Sequence, residues 1–211
     1  MVPKIELIAI AASPEKGLNS DTMLDHFLMG VHQVATKNPH LNTEKIYLTD
    51  IEFAFYDHLH TQPDPEKEKD FFDLIQKIKN ANALVIATPT YNFNVPAKLK
   101  NLIDRMSTFA LDYKNLNKFK QPTGQLGYLK TFFLVSGGAS NFVHQFIFFL
   151  YPAFWLKAAF LYYGAPLGKS LFGGNLTFRK QAKDRPKLLR KCENAGRKFA
   201  QKLLKRANNV A

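Results

Sequence analysis

Five short apolar runs alternate with five longer segments of helical period, and this alternation restricts the fold more than any other feature of the chain. The runs lie at 5–12, 45–48, 83–87, 131–135 and 167–172. The helical segments lie at 21–36, 66–79, 96–106, 142–163 and 186–205. In 96–106, Leu99, Leu102, Ile103 and Met106 share one face at i, i+3, i+4 and i+7 spacing. Strands of four to eight residues, each followed by a helix, predict a parallel sheet covered on both faces. At 211 residues the chain suits one α/β domain over 1–211, without a linker or internal repeat.

The loops after the first, third and fourth strands should converge. In an open α/β sheet, ligands lie beyond the C-terminal strand ends, at the switch in strand order. The first loop reads ASPEKGLNSDT, residues 12–22. It has neither a dinucleotide-binding glycine pattern nor a P-loop. Instead Ser13, Asn19, Ser20 and Thr22 place hydroxyls and an amide where a helix begins. That suits a terminal phosphate. An ordinary helix cap by Asn19 or Ser20 is the alternative. The third loop reads TPTYNFNVPAKLKNLIDR, residues 88–105. Thr90 to Phe93 offer backbone donors, acceptors and aromatics to a flat, polar-edged heterocycle. Pro96 marks the helix start.

These two loops resemble the NAD(P)H-dependent FMN reductases and the flavodoxin-like quinone and azo reductases, over roughly residues 4–175. The resemblance implies a flavodoxin-like, doubly wound, five-stranded sheet in three α/β/α layers. It implies FMN held by Ser13, Asn19, Ser20 and Thr22 at the phosphate. Pro89, Thr90, Tyr91, Asn92 and Phe93 would line the isoalloxazine. Ser136, Gly137, Gly138 and Ala139 would meet its pyrimidine end through backbone amides, with Asn141 one turn on. The implied activity is hydride transfer from NADH or NADPH, through the flavin, to a quinone, flavin or azo-type acceptor. Glu15 stands where relatives often carry arginine, although Lys16 follows it. Phe93 stands where the small FMN reductases have glycine. No cysteine cluster of the related iron–sulfur flavoproteins is present.

His144 is the one histidine placed where catalysis would use it, as a donor toward the flavin O2. A satisfied structural histidine is the plainer reading. His58 and His60 form an H-x-H without metal-ligand spacing around it, so no metal is expected. Lys98, Lys100 and Arg105 read as solvated. Cys192 is the only cysteine, which rules out an internal disulfide. The start of the chain does not read as a signal peptide, which points to a cytoplasmic protein.

Net charge is +12. Residues 179–206 hold twelve Lys/Arg against Asp184 and Glu193, leaving about +2 for the rest. This basic C-terminal helix is read first as a solvated face, with nucleic acid disfavoured and anionic lipid possible as a peripheral contact. Residues 142–163 hold ten of the 28 aromatics. Pro152 and Lys157 interrupt them, and strands on both sides must join one sheet, so a membrane span is not expected. The segment could line a pocket for a small apolar aromatic acceptor, rest on a membrane, or pack against a second subunit in a homodimer. A flavodoxin-like electron carrier, or a flavin-free interaction protein using its basic helix, are the competing functions. Carrier flavodoxins are typically acidic, which argues against the first.

Overall fold

The computed structural model describes residues 4–57, 64, 66–146, 152–177, 179 and 181–208. Its main sheet has five parallel strands: β1 (Ile5–Ala11), β2 (Leu41–Tyr47), β3 (Ala83–Pro89), β6 (Lys130–Ser136) and β7 (Lys169–Gly173). They lie in the order β2-β1-β3-β6-β7. After β2 the chain returns to the far side of β1, so the switch point falls between β1 and β3. This is the expected flavodoxin-like order, and it places the crevice at the C-terminal ends of those two strands.

The central strands are apolar throughout because both faces are covered. On one face, α1 (Asn19–Ala35) and α6 (Pro186–Asn208) pack over Leu7, Ala9, Val85 and Leu134. On the other, α2 (Lys69–Asn80), α3 (Ala97–Ala110) and α5 (Ala153–Tyr162) pack over Ile8, Ile10, Leu84, Ile86 and Phe133. Gly30 of α1 and Gly196 of α6 set how closely those two helices approach. A Cβ on Gly30 would collide with the Glu193 carbonyl, and one on Gly196 with the Phe27 carbonyl. Phe27, Phe132 and Phe199 fill the space beneath, with ring centroids 4.8–5.9 Å apart.

Four expectations change. Strand β2 starts at Leu41, four residues before the expected position; as an edge strand it buries only Leu41 and Ile46 and leaves polar residues between them, rather than forming an apolar run. The expected loop at 110–129 contains an antiparallel ribbon, β4 (Leu111–Leu116) and β5 (Pro122–Gly124). The aromatic segment is not one helix. Asn141–Phe146 forms α4, and α5 begins after Pro152, whose ring suits a helix start but not a helix interior. The residues at 147–151 lie outside the described set. No helix among the described residues is long and apolar enough to cross a membrane.

The fourth change is Arg105, which is 4% exposed rather than solvated. Its guanidinium grips both oxygens of Glu68, Nη2 at 2.7 Å, and lies 4.0 Å from the Phe71 ring centroid. Asn101, one helical turn before it at i−4, is also buried. Together these side chains hold the chain at 54–56: Glu68 and Asn101 accept the Ala54 and Tyr56 amides, while Arg105 and Asn101 donate to the Ala54 carbonyl. Lys98 and Lys100 remain partly exposed, Lys100 paired with Asp104 at 2.6 Å. His58 and His60 lie outside the described residues.

Candidate functional site

The strand ends bring three loops and a fourth segment into one crevice. One part, about 280 Å³, is lined by Ser13, Leu18, Asn19 and Ser20 from the first loop and α1. Pro89, Thr90 and Tyr91 follow β3, and Ser136, Gly137 and Gly138 follow β6. A second part, about 250 Å³, shares Thr90, Gly137 and Gly138 and adds Asn92, Phe93, Ala139 and His144. Thr22 and Asn141 are not brought in. The Thr22 hydroxyl turns back toward the Gly17 carbonyl at 3.4 Å, and Asn141 faces a neighbouring cavity.

The start of α1 is not capped as an ordinary helix. Leu18 is the N-cap residue and no side chain caps the helix. Asn19 and Ser20, the candidate caps, lie inside it. Ser20 is buried, and Asn19 Oδ1 accepts the Ala182 N–H at 2.7 Å. That bond ties the segment after β7 across the crevice. Gly17 takes a left-handed φ of 76° and gives its amide to Asp21 at 2.7 Å. A buried carboxylate here would repel an anion, but Lys45 sits 2.5 Å from Asp21 and offsets its charge. Burial works against the Lys45 charge; its hydrogen bonds to the Asp21 and Asp25 carboxylates outweigh that and raise its pKa. Lys16 is held by Asp50 at 2.7 Å and stands over the Tyr47 ring, so its charge is committed there.

The loop after β3 turns back on itself. Tyr91 and Asn94 exchange both backbone hydrogen bonds, at 2.8 and 2.9 Å. The two residues between them, Asn92 and Phe93, have φ of 47° and 66°. Positive φ at both central positions is the type I′ turn. Asparagine tolerates this conformation, whereas a bulky phenylalanine does not adopt it without strain. Phe93 is 59% exposed, above the crevice. Tyr91 reaches back to Ser13 through a hydrogen bond, and its hydroxyl pKa is raised by burial and by the Glu15 charge.

The floor is narrow. Gly137 lies so close that a Cβ would be 3.2 Å from both Thr90 Oγ1 and the Phe172 ring. The Gly137 N–H is spent on the Gly173 carbonyl at 3.0 Å. Among the described residues the Gly138 and Ala139 amides donate no loop or turn backbone hydrogen bond. Helix α4 has only six residues, so the expected aid from a helix dipole is small. His144 is buried with its ring on Phe172, and burial lowers its pKa below 6.5.

The first part of this arrangement has a counterpart in known sequences: residues 5–142 match the family model described as NADPH-dependent FMN reductase. The chain belongs to the NADPH-dependent FMN reductase family. An FMN-dependent NADH:quinone oxidoreductase of Metamycoplasma arthritidis is 36% identical over 83 residues, 37% of this chain and 41% of that protein. An iron–sulfur flavoprotein of Archaeoglobus fulgidus is 34% identical over 103 residues, 48% of each chain. The matches thus span less than half the length of these curated relatives. Two solved structures share the fold. One is an FMN-dependent NADH-azoreductase from Bacillus anthracis in complex with FMN (TM-score 0.73, 20% identity, 93% of this chain and 99% of that one). The other is an NAD(P)H:quinone oxidoreductase from Methanothermobacter marburgensis (TM-score 0.71, 19% identity, again 93% and 99%).

The crevice fits the cofactor of this family. Thr90 Oγ1 is buried with no hydrogen-bond partner among the described residues. A polar atom left so in a protein interior calls for an external partner. A side chain at the adjacent Gly137 would crowd both Thr90 Oγ1 and the Phe172 ring, so a glycine there keeps the space beside Thr90 open. Residues that the sequence pattern did not single out also line the site: Leu18, Leu176, Thr177, Gln181 and Phe172. All but Leu18 follow or end β7. The rule that ligands lie beyond strand ends applies to β7 as it does to β1, and it was the one available signal for them.

Proposed function

We propose that the protein is an FMN-dependent NAD(P)H oxidoreductase acting on small, apolar, aromatic acceptors of the quinone, flavin or azo type. The observation that carries this reading is the unpartnered Thr90 Oγ1 beside Gly137, in a crevice where the family's flavin loops meet. When bound, FMN supplies the two-electron chemistry, taking hydride from the nicotinamide and giving it to the acceptor. Ser13, Ser20 and the uncapped first-turn amides of α1 hold the phosphate. Thr90 and the Gly138 and Ala139 amides hydrogen-bond the ring edge. Tyr91 and Phe93, which line the crevice, would pack against the bound ring and keep water from it. His144, neutral at pH 7, serves as a hydrogen-bond donor rather than as a proton carrier.

The visible spectrum of the purified protein tests the cofactor, and NADPH oxidation with a quinone and no partner protein tests the activity. A colourless protein that gains no flavin spectrum on adding FMN would overturn the reading. Activity that requires a protein partner would favour an electron carrier. The same proposal includes a homodimer formed through α5 and the β4–β5 ribbon, where Phe154, Leu161, Tyr113 and Phe119 are each more than half exposed. Sedimentation as a monomer at micromolar concentration would exclude it. Lys169 and Lys202 crowd one another on the basic face, lowering the Lys202 pKa. Flotation with anionic vesicles at low salt tests whether lipid answers that charge.

A further inference from the structure

Another cavity, about 550 Å³, adjoins the crevice at Phe172. Phe172 lines both, so the two spaces share one aromatic wall. This cavity continues along Leu171 and Leu188, which give it an apolar side. Its rim is cationic: Arg185, Lys187 and Lys191 line it, against one acid, Asp184. All three cations are exposed, and none forms an ion pair among the described residues. They arise from the turn before α6 and its first two turns, where the sequence alone suggests only a solvated basic face.

An apolar wall beside a row of cations is complementary to a ligand with one flat apolar part and one anionic part. Next to a flavin site, the donor nucleotide has that chemistry, with adenine for the wall and phosphate for the cations. We infer that this cavity binds the phosphorylated adenosine end of the nicotinamide nucleotide, with Arg185 and Lys191 on phosphate. The inference rests on the flavin reading of the crevice, and it assigns these residues to donor affinity rather than to the transfer itself. Arginine presents a planar fork to phosphate oxygens and lysine a point charge, so Arg185 carries the geometric part of the recognition.

The test is calorimetric titration of the purified protein with adenosine 2′,5′-bisphosphate and with adenosine 5′-monophosphate, paired with steady-state kinetics. The wild type is expected to bind at least one of these, and Arg185→Ala/Lys191→Ala to bind it at least about tenfold more weakly. In the same variant the KM for NADPH should rise by a similar factor, with kcat, flavin spectrum and melting temperature unchanged. Arg185→Lys should recover part of the affinity. A bisphosphate that binds more tightly than the monophosphate assigns the cations to the 2′-phosphate. Equal binding assigns them to the 5′-phosphate, and the effect then extends to NADH. Binding of neither nucleotide at millimolar concentration, or equal affinity in wild type and variant, overturns the inference. If the nucleotide binds this cavity in a protein that neither takes up FMN nor oxidises NADPH, the oxidoreductase reading fails and the cavity assignment stands.

Discussion

The His144 and Phe172 rings lie face to face, with centroids 3.6 Å apart and planes 9° from parallel. A neutral imidazole is favoured in such a setting, because burial penalises the charged form. The His144 pKa is accordingly below its usual 6.5. Between that lowered value and 6.5 the unfolded chain binds the proton and the folded one does not. Stability therefore rises with pH across this window, is complete above about 6.5, and declines on acidification. Urea midpoints at pH 7.5 and 5.5 should differ for the wild type and differ less for His144→Gln. A proton titration of His144 by NMR should move up toward 6.5 in Phe172→Ala.

The Glu68–Arg105 pair gives the opposite kind of group. The Arg105 guanidinium holds the Glu68 carboxyl below its usual 4.5, against a smaller effect of burial. Its contribution is present above 4.5 and is lost as pH falls through the lowered value. Breaking a buried pair by removing one partner costs about 3–5 kcal/mol. Arg105→Met should lose stability in that range at pH 7 and should also free the chain at 54–56, read as faster amide exchange at Ala54 and Tyr56. An unchanged urea midpoint would contradict the structural role assigned to the pair.

Phe93 holds a conformation that glycine accepts without strain. Phe93→Gly should release part of the roughly 1–3 kcal/mol that such a residue stores, less what glycine costs in the unfolded chain. A net gain of about 0.5–1 kcal/mol is expected, a rise of roughly 1–4 °C in melting temperature. The same change removes the aromatic above the crevice, so the KM for a quinone should rise while stability improves. A variant that is both less stable and unaltered in KM would contradict this account.

Ser20 and Asn19 are neighbours with different duties. Ser20→Ala should weaken FMN binding by about 1.5–3 kcal/mol, one charge-assisted hydrogen bond, with little change in the melting temperature. Asn19→Ala also breaks the bond to the Ala182 amide, so it should lower the melting temperature as well as the affinity. Fluorescence titration and thermal melts of the two variants separate these outcomes. Identical behaviour of the two would show that Asn19 has no separate structural duty.

The central strands were legible because burial on both faces leaves an uninterrupted apolar run, as in Leu84–Val85–Ile86. Edges were less so. In β2, polar residues such as Asn42, Thr43 and Glu44 break the apolar pattern, and the ribbon at 111–124 buries little beyond Leu111. The loops proposed to hold the flavin could be read from local motifs, since Tyr91–Asn94 makes its turn with its own residues. Arg105 could not: what buries it is Glu68 and Phe71, over thirty positions earlier in the chain. Nor could Phe172 and Gln181, which reach the crevice only through the topology of β7.

The close seating of Gly30 against Gly196 has a practical reach. Helix α6 is part of the wall that fixes α1, and α1 begins where the loop proposed to hold the phosphate ends. Shortening the protein from its C-terminus would therefore strip an outer layer from the same helix that presents Ser20. It would also take the basic face with it, so charge and cofactor affinity would be lost in a single deletion. Point reversals of individual surface lysines, with both glycines kept, are the way to vary the charge alone.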